Sequence, residues 1–299
     1  MLSTIHLLLT YKCTLRCEHC YVYGSPKGEG NLNYTLVNRL LDQALKIRTV
    51  EWVIFEGGEP FLFYPLLLKS VQKARKLGFK VGVYTNGFFA RTEEAAVRYL
   101  HPLVNLRLDK LQISIDRFHY KKQDDTPAQR AGRAAISLGL PVSWENTMIP
   151  GDRETSPDQD VSDRSSNSTR LMMAGRAAEK LASQMPKADP FTLNSCPNEG
   201  LTNPHRLFID ASGHVQICPG LAIGNAWKNP LSEILDHYKP ANHPICGPLN
   251  SGGPDLLRKS YSFMTDGELI DGCHVCYLTR RYLIERFPEY LAPRQVYGI

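Results

Sequence analysis

Three cysteines fall within eight residues, Cys13, Cys17 and Cys20 in the spacing C-x3-C-x2-C, directly after the apolar run IHLLLT. A chain with that loop must deliver three sulfurs to one small volume at the end of what reads as a strand, with no fourth cysteine close in sequence. Structural zinc sites want four closed ligands. His19 would have to be the fourth, yet as the immediate neighbour of Cys20 it cannot readily share one tetrahedron with it. An iron–sulfur cluster takes four thiolates, so either one ligand comes from elsewhere or one iron stays open to a substrate or cofactor. The bland alternative is three small buried hydrophobes. The tight spacing and the flanking aromatics Tyr11, His19 and Tyr21 make that the poorest of these readings.

The other cysteines, Cys196, Cys218, Cys246, Cys273 and Cys276, form a second group far along the chain. The N-terminus has neither a basic flank nor a small-residue cleavage site, so no secretory signal is read and a cytoplasmic location is expected. A disulfide framework is then out of place, and metal binding or catalysis is the better use for eight cysteines. The 299 residues, 42% hydrophobic and 22% charged, suit one large or two modest domains able to bury a core without staples. A net charge of +5 with interspersed signs predicts no nucleic-acid partner. The longest apolar runs, such as FLFYPLLL, fall short of a membrane span.

Apolar runs predict strands near 4–10, 51–56, 79–85, 108–115, 141–149 and 169–173, and helices near 35–48, 65–77, 92–103, 126–138 and 174–184. The helix at 65–77 opens with Pro65 and closes before Gly78, as start and stop signals require. Strands alternating with helices at this spacing predict an α/β fold built on a parallel sheet or barrel. The stretch 151–169 is polar and nearly free of aliphatics, which reads as a surface loop or a lid.

The segment Cys13-x3-Cys17-x-His19-Cys20 resembles the signature of the radical S-adenosylmethionine (SAM) superfamily. The resemblance implies a partial (β/α)6 barrel with its site at the carboxyl ends of the strands. It also implies a 4Fe–4S cluster on the three thiolates, whose fourth iron binds SAM, and cleavage of SAM to a 5′-deoxyadenosyl radical that abstracts a hydrogen atom. His19 matches the aromatic position near the adenine. Thr14 departs from the asparagine that many relatives carry. After strand WVIFE, the run Gly57-Gly58-Glu59-Pro60 resembles the family's GGEP motif, implying contact with the SAM amino group. Thr85-Asn86-Gly87 follows the third strand at a common family position. Ser114 and Asp116 match polar positions near the SAM carboxylate or ribose, although Asp116 also suits a cap. His119 reads as an ordinary surface or packing histidine first and as a catalyst second, its strand-end place keeping that reading open. Gly175-Arg176-Ala177 resembles a stretch in relatives with C-terminal cluster domains, where Arg176 is a candidate for holding an anionic group.

The second cysteine group lies around HRLFIDASGHVQICPG, whose Ala211-Ser212-Gly213 signals a hairpin. With LAIGNAWKNPLSEIL and the pair Cys273-His274-Val275-Cys276, it resembles the auxiliary-cluster region of SPASM and twitch domains. Two domains are therefore expected, 1–190 for the barrel and 191–299 for a smaller auxiliary domain. Its one 4Fe–4S cluster would take Cys196, Cys218, Cys273 and Cys276, with structural zinc as the alternative. Cys246 is left over in a Pro- and Gly-rich stretch that reads as a loop. It is an alternative ligand or inert packing first, and a catalytic hydrogen-atom donor second.

The resemblance implies an oxidoreductase-type enzyme that needs an external electron donor of the flavodoxin or ferredoxin type. A peptide or protein side chain is the expected substrate, with a small natural-product metabolite as the alternative. A non-catalytic iron–sulfur carrier or sensor is a third reading, which the SAM-contact motifs disfavour.

Overall fold

The computed structural model describes residues 1–122, 124–150, 166–187, 193–196, 199–264 and 269–299. The polar stretch expected as a loop or lid falls largely outside these residues. The chain runs β1 (Thr4–Thr10), α1 (Tyr34–Ala44), β2 (Trp52–Gly57), α2 (Tyr64–Lys76), β3 (Lys80–Thr85), α3 (Glu93–Asn105), β4 (Lys110–Ser114), α4 (Pro127–Ser137), β5 (Val142–Met148) and β6 (Ser166–Arg170). It continues through α5 (Arg176–Lys180), β7 (Arg206–Ile209), β8 (His214–Cys218), β9 (Leu221–Asn225), α6 (Leu231–His237), α7 (Cys246–Ser260) and α8 (Gly272–Leu283).

Caps and turn residues set these boundaries. Asn33, Thr92 and Thr126 cap α1, α3 and α4 by accepting from the backbone N–H groups of Leu36, Ala95 and Gln129. At α4 the Gln129 side chain returns a bond to the Thr126 backbone, closing a capping box ahead of Pro127. Helix α2 ends before Gly78, whose φ of +91° suits the left-handed position that follows a helix.

All nine strands join one open sheet in the order β6-β5-β4-β3-β2-β1-β7-β8-β9. Strands β1 to β6 pair in parallel, and β7 continues that sense by pairing with β1. Strands β8 and β9 are added antiparallel, from the hairpin expected at Ala211-Ser212-Gly213. The expected division at 190/191 falls before β7, so the sheet runs unbroken across it.

Strands β1 and β2 read as near-continuous apolar runs interrupted by His6 and Glu56, whereas β3 and β4 alternate. Ile5, Leu7 and Leu9, Val53 and Phe55, Val81 and Val83, and Leu111 and Ile113 lie in one apolar core with residues of α1 to α4. The intervening residues, among them His6, Glu56, Tyr84 and Gln112, face a cavity of about 650 Å³. One face of the sheet is packed and the other lines a chamber of mixed polar and apolar walls.

Two expectations about local structure are corrected. Cys246 does not stand in a loop: it is the first residue of α7, and it is fully buried. Gly247 and Pro248, which suggested a loop, lie in its first turn, and the helix breaks only further on, at Gly252 and Gly253, where the backbone leaves helical angles. The helix expected over 174–184 shrinks to α5 and a short 3-10 turn, because Gly175 holds a φ of +60° immediately before it.

Candidate active site

The chamber opens at the carboxyl ends of the parallel strands, where open α/β sheets place their ligands. Residues just after β1 to β4 meet there: Cys13, Gly58, Asn86 and Asp116 all line the cavity, as do Cys17, His19 and Cys20.

The cysteine loop is held by backbone contacts. The N–H groups of Gly58 and Glu59 donate to the carbonyls of Thr10 and Lys12, at 2.7 and 2.9 Å. A Cβ on Gly57 would sit 2.2 Å from the Thr10 oxygen, and one on Gly58 2.3 Å from the Lys12 oxygen. These glycines are needed so that the two loops can touch. From the other side, Arg176 donates to the carbonyls of Cys17 and Gly24, at 2.5 and 2.9 Å. Its guanidinium is buried over the Tyr23 ring and does not line the cavity.

Glu59 and Pro60 also stand behind the cavity wall. The fully buried Glu59 carboxylate accepts from Phe61 N, Thr85 Oγ1 and Asn86 N, at 3.0, 2.8 and 2.8 Å, tying the turn after β2 to the turn after β3. Burial lifts its pKa to about 7 against the pull of those hydrogen bonds. Asn86 points its amide toward Cys13 Sγ and Thr14 Oγ1, at 3.6 and 3.2 Å. Thr14 thus has a partner in the site.

Against the cysteine loop lies an acid–imidazole cluster. Asp116 Oδ1 bonds the backbone and Nδ1 of His119, the latter at 2.9 Å. Its Oδ2 is buried without a hydrogen bond, 3.8 Å from His19 Nε2. Burial opposes ionisation of Asp116, but His119 outweighs it and holds the carboxyl below the usual range. His119 is raised well above its ordinary value, with Asp116 overcoming the effect of burial. His19 is pushed down to about 4 by burial, so its ring is neutral, and it packs against Phe118 with centroids 4.9 Å apart. Ser114 lines the same cavity. Sequence reading undervalued His119, whose ring nitrogen lies among ligand-type atoms of Cys17 and His19 all within 4.8 Å of one another. Its signal in the sequence was its place at a strand end.

The three sulfurs fit a cluster-binding role. Cys13 and Cys20 accept backbone N–H groups from Leu15 and Gly24, at 3.4 and 3.2 Å, the kind of bond that steadies a thiolate. Burial pushes the Cys13 thiol up to about 12, and the neighbouring thiols add to the shift. As free thiols they would stay protonated, whereas a metal would ionise them.

The structure also brings Cys196, Cys218, Cys273 and Cys276 together. Cys218 ends β8, Cys273 and Cys276 lie in the first turns of α8, and Cys273 senses the charges of the other three. Beside them Arg280 is fully buried, with Nη1 on the Pro219 carbonyl at 3.1 Å and Nε unpartnered. A buried guanidinium needs partners nearby; it lies over the ring of Tyr297, the sulfurs of Cys276, Cys218 and Cys273 come next, and no carboxylate bridges it among the described residues. Among the described residues no three of these sulfurs approach within 4.8 Å, whereas zinc draws its sulfurs to about 3.8 Å of one another. Cys246 borders the quartet and lies outside the cavity wall, its thiol against the Tyr238 hydroxyl and pushed up to about 12 by burial.

Residues 7–158 match the family model described as the radical SAM superfamily. Among curated proteins, 113 residues are 33% identical to the tungsten-containing aldehyde ferredoxin oxidoreductase cofactor-modifying protein of Pyrococcus furiosus, covering 38% of this chain and 30% of that one. A stretch of 117 residues is 26% identical to YydG of Bacillus subtilis, whose name places it provisionally in peptide biosynthesis, covering 39% and 37%. A third, of 132 residues, is 25% identical to an S-adenosylmethionine-dependent nucleotide dehydratase of Pseudoalteromonas ulvae, covering 39% and 41%. Each match thus spans well under half of the relative's length. The crystal structure of BtrN in complex with AdoMet and 2-DOIA has a similar fold, with a TM-score of 0.52 and 17% identity over 80% of this chain and 83% of that one. Among the described residues no helix is long and apolar enough to cross a membrane.

Proposed function

Because this chain belongs to the radical SAM superfamily, we propose that Cys13, Cys17 and Cys20 hold a 4Fe–4S cluster and that the adjoining cavity receives SAM and a substrate that loses a hydrogen atom. When bound, the cluster supplies the electron that cleaves SAM to a 5′-deoxyadenosyl radical. The observation that carries this reading is the set of three cysteines at the mouth of one cavity, facing an Asp116 Oδ2 that lacks a donor.

The chain's own residues then divide the work. Leu15 and Gly24 donate N–H groups to the cluster sulfurs, while Arg176 and the Gly57-Gly58 turn keep the loop in one shape. Asp116, ionised beside His119, accepts a hydroxyl or ammonium donor from SAM through Oδ2. Neutral His19 offers an uncharged flat surface beside it. Glu59 and Pro60 act indirectly, by fixing Asn86 and the turns.

We extend the proposal to a second 4Fe–4S cluster on Cys196, Cys218, Cys273 and Cys276, with β7 to β9 and the helices after them as a SPASM- or twitch-like region and the open sheet as a partial barrel. Full ligation by four thiolates suits an electron acceptor, so an oxidation follows, with a flavodoxin- or ferredoxin-type protein supplying the first electron in the cytoplasm. Cys246 is assigned to packing beside that cluster. A peptide or protein side chain is the first substrate reading, in keeping with the similarity to YydG. A small metabolite is the second, favoured by a chamber walled with charged and hydrogen-bonding side chains. Electron paramagnetic resonance of the anaerobic, reduced protein tests the assignment: addition of SAM should change the signal of one cluster and leave the other alone. A spectrum indifferent to SAM would rule the assignment out.

A further inference from the structure

Deep in the chamber, below the cysteine loop, strands β1 to β4 present His6, Glu56, Tyr84 and Lys110 to the cavity. His6 and Glu56 are each about nine-tenths buried at the side chain, and His6 Nδ1 meets Glu56 Oε1 at 2.9 Å. The His6 ring is wedged against Phe208, with centroids 4.8 Å apart, and edge-on to Tyr84 at 5.9 Å. Glu56 Oε2 has no hydrogen-bond partner among the described residues, and the side chain lines the cavity.

Among the described residues neither nearby cation, Arg206 or Lys110, hydrogen-bonds that oxygen, although Arg206 lies close enough to feel the Glu56 charge. Arg206 commits its fork to Glu199, with Nη2 and Nε at 2.5 and 3.2 Å from the two carboxylate oxygens. Lys110 lies on the far side of Tyr84, its Nζ 5.2 Å from the ring centroid and 3.5 Å from the hydroxyl. The remaining carboxylate of this wall, Glu145, already receives Gln112 Nε2 at 2.9 Å. His6 meets only Oε1, and in so enclosed a place the second carboxylate oxygen is costly without a donor of its own. Water can fill the role at rest, and a ligand that brings its own charged donor would displace it with gain.

We propose that Glu56, oriented by His6, is the recognition site for a primary ammonium group on the substrate, and that Lys110 orients the substrate by repelling that group from its own side of Tyr84. The inference rests on reading the cavity as the chamber for the substrate. The ammonium can come from a free small amine or from a lysine-type side chain of a peptide; the carboxylate meets the same chemistry in both.

The test is binding to the anaerobic, cluster-loaded protein with SAM present, read by calorimetry without reductant, so that no turnover is needed. Three matched pairs serve as probes: glucosamine against glucose, ethanolamine against ethylene glycol, and Nα-acetyl-lysine methylamide against its hydroxyl isostere. The amine of at least one pair should bind roughly tenfold or more tightly than its partner. Preference confined to the free amines, or to the lysine amide, upholds the ammonium site and identifies its source. Glu56→Gln should abolish the preference with iron content intact, and Lys110→Met should preserve or increase it. If Glu56→Gln does not fold, Glu56→Asp, which withdraws the charge by one methylene, should reduce it. Equal binding within every pair, no binding by any probe, or a preference that survives Glu56→Gln overturns the proposal. Amine preference in a protein that cannot cleave SAM would refute the functional reading and leave this one standing.

Discussion

The guanidinium of Arg176 reaches the backbone carbonyl of Cys17 across 159 residues of sequence, at 2.5 Å. With its second bond to Gly24 it clamps the cysteine loop at two points. Hydrogen bonds to a charged group are worth roughly 1.5–3 kcal/mol each. Arg176→Ala should therefore loosen the loop and lower the iron held there, leaving the second site loaded. Arg176→Lys should recover only part, because an ammonium cannot reproduce the fork. Iron and sulfide analysis checks this; unchanged iron in the alanine variant would contradict the clamp.

Glu59 gives a pH dependence whose sign is opposite to that of an ordinary ion-paired carboxylate. Its folded pKa, about 7, lies above the unfolded value of 4.5 because of burial, so the fold favours the neutral form. The stabilisation is full below the unfolded value, falls as pH rises, and is gone once pH has passed about 7, at roughly 1.4 kcal/mol per unit between those limits. Urea midpoints measured across that window should decline more steeply in the parent than in Glu59→Gln. Parallel profiles would exclude Glu59 as the cause.

Arg280 is the buried cation of the second cysteine group. On the proposed four-thiolate cluster, replacing it with methionine removes the nearby positive charge, so electron uptake becomes harder and the midpoint potential should move to more negative values. Arg280→Lys should restore part of the shift. A redox titration followed by electron paramagnetic resonance reads this directly, and an unmoved potential would count against a charge-balancing role.

Gly132 in α4 faces Trp144, and a Cβ there would fall 1.8 Å from the indole. Alanine gains about 1 kcal/mol in helix propensity, whereas overpacking costs about 1–3 kcal/mol. With a rigid, buried ring as the obstacle, packing wins. Gly132→Ala should be destabilising by up to about 2 kcal/mol in urea unfolding, and a stabilised variant would show that the indole can move aside.

The parts of the site that were legible in the sequence are those fixed by short spacing. The cysteine triad and the Gly57-Gly58-Glu59-Pro60 turn depend on neighbours within a few residues, and the structure brings the cysteines and both glycines to one cavity. Roles set by tertiary packing were not legible. Glu59 and Arg176 look from sequence like ligand contacts, yet both spend their hydrogen bonds on backbone and side chains behind the wall. His119 was undervalued because its three-residue spacing from Asp116 also suits a plain cap, while its closeness to Cys17 comes only with the fold. Helix α7 was missed because Gly252, Gly253 and Pro254 break its pattern midway. The chamber-facing residues of β3 and β4 were present in the alternation of those strands, but an alternating strand does not say whether its polar side meets solvent or a chamber.

The most direct test of the central claim is SAM cleavage. Anaerobically reconstituted protein given SAM and dithionite should form 5′-deoxyadenosine and hold about eight irons, as two 4Fe–4S clusters. Changing Cys13, Cys17 and Cys20 together to alanine should roughly halve the iron and abolish 5′-deoxyadenosine. A triple variant that still cleaves SAM would contradict the account.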